Sequence, residues 1–228
     1  MNLAKAVRRG AELRGHLRTF LEWQLKKRHE SIADLIFGVD TFRWALDPGR
    51  NTSTCYVYDA APWSAVPRVL RNLELDLRRF TFIDMGCGKG RMVLAASAFP
   101  FASVIGVEFS PPLCRIAEGN LAACRYLRRR ARSTQIVECD ATEFTIPITP
   151  CVFFFYNPFS FELLDVVIKN VIRTHQQSPR EIYLILVGMS TICPQISLIP
   201  ELKLLHSSSI PFGVFTNRSA HIFLVTDD

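Results

Sequence analysis

None of the seven cysteines in this chain stands in a C-x-x-C pair, and their number is odd. That excludes a zinc ribbon and argues against a disulfide framework; it fits a reducing compartment, so a cytoplasmic location is expected. Metal-ligand spacing is also missing among the histidines, and His175, His206 and His221 are read as structural or exposed. The basic N-terminus breaks its apolar stretches with Arg and Glu every few residues, which leaves no signal-peptide core. Repeats and low-complexity segments are absent. Residues 182–200 carry no charge and approach the length of a membrane span, but Gly188, Ser190, Thr191, Pro194, Gln195 and Ser197 interrupt them. A buried strand followed by a polar loop is expected there, and no membrane span.

What is present reads as a globular chain. Its 228 residues suffice for a full core, with 49% hydrophobic and 21% charged residues. The net charge of +6 is uneven. Residues 1–30 hold eight Lys/Arg against three Glu, and residues 113–133 hold six Arg against Glu118, so each segment carries +5. Two basic helices on a mildly acidic body offer contacts for nucleic acid or another acidic partner; solvated helix faces are the plainer reading.

The segment Phe82-Ile83-Asp84-Met85-Gly86-Cys87-Gly88-Lys89-Gly90-Arg91 carries the most information. An apolar run ends in an acid, three glycines follow at alternate positions, and a helical stretch comes next. This is the strand–turn–helix of a nucleotide-binding α/β fold. A dinucleotide fingerprint needs G-x-G-x-x-G, yet here the third glycine comes one residue early and Arg91 fills its place. A P-loop needs G-x-x-x-x-G-K-[ST], which the segment lacks.

Helical periodicity runs from residue 3 to about 36, and residues 37–51 read as a loop containing Gly38-Val39-Asp40-Thr41. A helix is expected over 64–77. Strands at 80–85, 103–108, 135–138, 152–156 and 181–187 then alternate with helices at 91–98, 111–132 and 161–175. The 111–132 helix opens with Ser110 as its N-cap, followed by two prolines. Strands at 203–208 and 220–226 close the chain as an antiparallel pair. The alternation predicts a mostly parallel sheet with right-handed crossovers.

D-x-G-x-G-x-G after a strand resembles motif I of the class I S-adenosylmethionine (SAM) methyltransferases. Val104-Ile105-Gly106-Val107-Glu108, Asp140-Ala141 and Phe155-Tyr156-Asn157-Pro158-Phe159 resemble its later motifs in order. The resemblance covers residues 38–228 and implies a three-layer Rossmann-like fold, with a mostly parallel seven-stranded sheet and a C-terminal antiparallel hairpin. It leaves 1–36 as a basic N-terminal helical extension and 37–228 as the SAM-binding domain.

The resemblance also implies S-adenosyl-L-methionine as cofactor. Gly86, Cys87, Gly88 and Gly90 would pass close to its methionine half, and Asp84 would meet its ammonium. Glu108 would accept the ribose hydroxyls, as the acid of dinucleotide folds does. Phe109, Asp140 and Ala141 would sit at the adenosine, and Asn157 would face both cofactor and acceptor. Asn157 and the Pro158 carbonyl would orient an acceptor amine between Tyr156 and Phe159. Relatives acting on planar amino groups carry [DN]-P-P-[YF]; this chain lacks the second proline, so a nucleobase acceptor does not follow. Residues 38–41 would form a lid, and Lys89 and Arg91 would face either an anionic substrate at the pocket rim or solvent.

The expected activity is methyl transfer to an amine nitrogen, since the motifs supply no general base for a hydroxyl. Other readings are a catalytically weak SAM-binding module docking on nucleic acid through its basic helices, a protein-lysine methyltransferase, and aminopropyl transfer.

Overall fold

A computed structural model of the chain describes residues 31–42, 60–211 and 217–227. The basic segment 1–30 and the irregular stretch 43–59 lie outside the described residues. Residues 31–37 form helix α1. There follow α2 (Ala65–Leu70), a 3₁₀ turn (Leu77–Arg79), β1 (Thr81–Met85), α3 (Arg91–Ser97), β2 (Ser103–Glu108) and α4 (Pro111–Ala123). The chain continues through β3 (Thr134–Glu138), β4 (Cys151–Tyr156), α5 (Phe161–Gln177), β5 (Ile182–Val187), α6 (Cys193–Ile196), β6 (Leu202–Pro211) and β7 (Asn217–Val225).

The sheet order is β3-β2-β1-β4-β5-β7-β6. The first five strands are parallel, and β7 runs antiparallel to both β5 and β6. This agrees with the expected parallel sheet and terminal hairpin. From β1 the chain steps outward to β2 and β3, then returns to lay β4 on the other flank of β1. The direction of winding reverses between β1 and β4, and this switch point marks the crevice in which open α/β sheets usually take a ligand.

Burial explains the layers. All six residues of β5 and five of six in β4 are buried, as strands covered on both faces must be. Alternate side chains sort to two cores. Ile83, Met85, Phe153, Phe155 and Leu184 meet Leu164, Val167, Ile168 and Val171 of α5. Phe82, Val104, Phe154 and Ile185 meet α2 and α3 on the opposite face. Among the described residues no helix is long and apolar enough to cross a membrane.

Two helices are shorter than their periodicity predicts. α2 stops at Leu70, and residues 71–76 form a loop that ends where Asp76 caps the 3₁₀ turn through the Arg78 amide. α4 stops at Ala123, nine residues early. Beyond it the backbone amides bond to other parts of the fold: Arg125 to the Phe37 carbonyl at 2.8 Å, Arg130 to Ser97 at 2.7 Å and Arg132 to Phe101 at 3.1 Å. Tyr126 also takes a left-handed backbone (φ 62°), which no α-helix accommodates. The second basic segment is therefore half helix and half irregular strap. Ser110 occupies the N-cap position without a side-chain cap bond, so the helix start rests on Pro111 and Pro112 at its first turn.

Gly106 sets how closely the glycine loop approaches the sheet. A Cβ there would lie 2.7 Å from both Cys87 Sγ and Val93 Cγ2, and 2.9 Å from Ile136 Cδ1. Gly106→Ala is expected to lower unfolding free energy by about 1–3 kcal/mol through overpacking. Urea denaturation reads this directly, and an unchanged midpoint would contradict the packing.

Candidate functional site

Two neighbouring strands deliver the buried acids. Asp84 sits on β1 beside Gly106 of β2 and Phe154 of β4, and Glu108 ends β2. Both carboxylates are buried. Between β1 and α3 the chain turns through Gly86 (φ 76°), Gly88 (φ 53°) and Gly90 (φ 80°), a run of positive angles that side-chained residues resist. The Gly86 and Cys87 amides both donate to the Val107 carbonyl at 2.9 Å, which folds the loop back over β2. Cys87 turns its thiol inward against Gly106 and contributes packing, while its backbone lines the turn.

Glu108 holds this arrangement together. Its Oε2 accepts the Gly88 amide at 2.9 Å; its Oε1 accepts the amides of Phe109 at 3.1 Å and Ser110 at 3.0 Å. A carboxylate offers roughly four acceptor positions, so one remains on Oε2 for an incoming hydroxyl. Burial raises the Glu108 pKa, and the amides of Ser110, Gly88 and Phe109 oppose that rise.

Asp84 has no such support. Among the described residues nothing hydrogen-bonds or ion-pairs with its carboxylate. Desolvation, with the charge of Glu108 added, pushes its pKa up to about 8. Two buried acids side by side, one without a partner, make a cradle that suits a cationic ligand. SAM, with its ammonium and sulfonium, has that charge, and the glycine turn leaves backbone where side chains would intrude.

Across the crevice β4 ends in Tyr156 and the turn Asn157-Pro158. Asn157 is exposed and left-handed (φ 46°), a conformation Asn tolerates better than most residues. Pro158 packs so tightly on the glycine turn that a Cβ on Gly86 would fall 2.6 Å from its own Cβ. Phe159 is buried beneath the same glycine in the α5-side core, whereas half-buried Tyr156 packs with the opposite core. These two aromatics thus diverge and do not form facing walls. Asp140, beyond β3, is exposed, and its Oδ1 accepts the Thr142 amide and hydroxyl in a tight turn beside half-buried Ala141.

Lys89 and Arg91 face neither solvent nor a pocket rim: each side chain is 2% exposed. Arg91 donates to Thr41 Oγ1 at 2.7 Å, to the Ala61 carbonyl at 3.1 Å and to Asp34 Oδ1 at 3.2 Å, with its guanidinium over the rings of Phe42 and Trp63. Asp34 also accepts the Thr41 amide and hydroxyl and the Trp63 indole. Asn120 of α4 bonds the Asp40 amide and carbonyl and the Lys89 carbonyl. Residues 34–41 are thereby clamped over the glycine turn. Sequence reading missed Asp34 and Asn120, and it quoted Gly106 only as part of a motif, without its packing role.

The Asp84 shift has a thermodynamic consequence. Unfolded, this acid ionises near pH 4; folded, it keeps its proton to about pH 8. The folded state therefore loses stability as pH rises through that window. Asp84→Asn removes the dependence, so its stability relative to the parent should improve between pH 5 and pH 8 by a few kcal/mol, about 1.4 per pKa unit. Parallel pH profiles in chemical denaturation would contradict the assignment.

No family model matches the sequence, and no curated protein matches it. Solved structures do. A Pyrococcus horikoshii protein crystallised as a candidate RNA methyltransferase aligns with a TM-score of 0.57 at 15% identity, over 89% of this chain and 97% of its own. Magnesium protoporphyrin IX methyltransferase of Synechocystis, with bound SAM, aligns at 0.53 and 13% identity over 72% and 79%. TrmN of Thermus thermophilus aligns at 0.54 and 13% identity over 72% of this chain, which spans 48% of TrmN. Identities this low speak for architecture alone, and the architecture is clear: the chain has the Rossmann-like fold of the class I SAM-dependent methyltransferases.

Proposed function

We propose that this chain is a SAM-dependent methyltransferase whose acceptor is an amine nitrogen. The observation that carries the reading is the pair of buried carboxylates, Asp84 and Glu108, under a glycine turn that meets the Asn157-Pro158 turn across the crevice between β1 and β4. When bound, SAM supplies an activated methyl group, so the protein's task is alignment and exclusion of water.

In this reading the turn from Gly86 through Cys87 and Gly88 to Gly90 holds the methionine half, and Asp84 accepts from the ammonium. Glu108 accepts one ribose hydroxyl on Oε2 while its amide bonds keep the turn closed. Phe109, Asp140 and Ala141 flank the adenosine. The Asn157 side-chain oxygen and the Pro158 carbonyl accept hydrogen bonds from the N–H groups of the acceptor amine and aim its lone pair, with Tyr156 beside them. The motif residues near Asn157 include no general base, which suits an amine that attacks in its neutral form. The left-handed backbone of Asn157 fixes the direction in which its side chain leaves the turn, which supports a positioning role.

Incubation with methyl-tritiated SAM and cell extract, followed by counting of protein, RNA, DNA, lipid and small-molecule fractions, tests the transfer and names the acceptor class. Asn157→Gly is the control, because glycine adopts the same backbone freely and removes only the side chain. The parent should label one fraction. The variant should bind SAM as well as the parent and label about 10²–10³-fold more slowly, the usual cost of losing one positioned polar group. Label in protein lysine would favour the lysine acceptor. Bound SAM without label in any fraction would sink the transferase reading, and parental rates in the variant would sink the role of Asn157.

A further inference from the structure

We propose that residues 124–133, between α4 and β3, form a docking strap for single-stranded RNA. Arg125, Arg128, Arg129, Arg130 and Arg132 are all exposed, and among the described residues none takes part in an ion pair. Five guanidinium charges within eight residues, with no acidic partner among the described residues, form a concentrated positive field.

The strap is rigid. Besides the amides of Arg125, Arg130 and Arg132, that of Ala131 bonds Ser97 at 3.1 Å, and the Ser133 carbonyl accepts from Val104 at 3.0 Å. The Arg129 guanidinium donates to the Leu121 carbonyl at the end of α4. Ala131 packs against the core, and Leu127 is half-buried. The apolar residues thus face inward, leaving the arginines outside on a fixed backbone.

Tyr126 identifies the partner. It stands between Arg125 and Arg128, 87% exposed, on a left-handed backbone (φ 62°) that costs energy for an aromatic residue. An aromatic ring held out among arginines is the arrangement that binds single-stranded nucleic acid: guanidinium groups take phosphates while an unpaired base stacks on the ring. A duplex offers no free base face, and a lipid surface would call for exposed aliphatic side chains that the strap lacks. Unpaired bases are an ordinary state of RNA loops, which selects RNA. The inference does not rest on the methyl-transfer reading.

The test is fluorescence anisotropy of the full chain with a labelled oligouridylate of about twenty nucleotides, titrated across salt concentrations. Affinity should fall steeply with salt. In the triple variant Arg128→Gln/Arg130→Gln/Arg132→Gln, the log–log slope should shrink by about 2, because each single-strand phosphate left without its arginine removes about 0.7. Tyr126→Gly should weaken binding about five- to 150-fold with the slope unchanged. It should also leave the thermal midpoint equal or higher, because glycine relieves the backbone; a purely structural tyrosine would not produce that combination. An unchanged slope in the triple variant, parental affinity in Tyr126→Gly, or tighter binding to oligothymidylate or phosphatidylserine vesicles would overturn the assignment.

Discussion

The site depends on one carboxylate. Glu108 stands at the end of β2 and accepts amides from two separate turns, the glycine turn after β1 and the Phe109-Ser110 turn that opens α4. Three charge-assisted bonds in a buried setting offset part of the desolvation of the acid and fix two loops relative to each other. With the glycine turn fixed, Gly86 lies against Pro158, and the end of β4 comes to a set distance from the end of β1. The crevice between these strands takes its shape from that chain of contacts.

A second set of interactions holds residues 34–41 over the glycine turn. The buried Arg91–Asp34 pair is well satisfied, with Thr41, Trp63 and the Ala61 carbonyl completing the bonds of both groups. Removing one partner of such a pair leaves an uncompensated buried charge, commonly a loss of about 3–5 kcal/mol. Arg91 occupies the position where a dinucleotide fingerprint has its third glycine. A residue that departs from one motif is thus the anchor for residues 34–41, and through Asn120 these residues also rest on the glycine turn.

Much of this was legible in the sequence, for identifiable reasons. The β2 bounds agree residue for residue, because a short apolar run between polar ends has one way to lie in a sheet. Glycine spacing announced the turn, and acids at strand ends announced Asp84 and Glu108. Helix ends were less legible, since the apolar and arginine-rich residues after Ala123 continue a helical pattern while their amides find partners at Phe37, Ser97 and Phe101. Lys89 and Arg91 read as cations facing a pocket rim or solvent because charge implies exposure unless a partner is known; for Arg91 that partner, Asp34, lies 57 residues away. The packing role of Gly106 was invisible for a similar reason, as the atoms that require it belong to Cys87, Val93 and Ile136.

The central claim is that Asp84 and Glu108 form a cradle built for a cation, one acid held by amides and the other left to the ligand. Isothermal titration with SAM near pH 7, in two buffers of different ionisation enthalpy, tests it most directly. With Asp84 titrating at about 8 in the free protein, it is largely protonated there; a bound cation should ionise it and release about one proton. Binding with that release is the expected result. Absence of binding, or binding with no proton exchanged, would contradict the account.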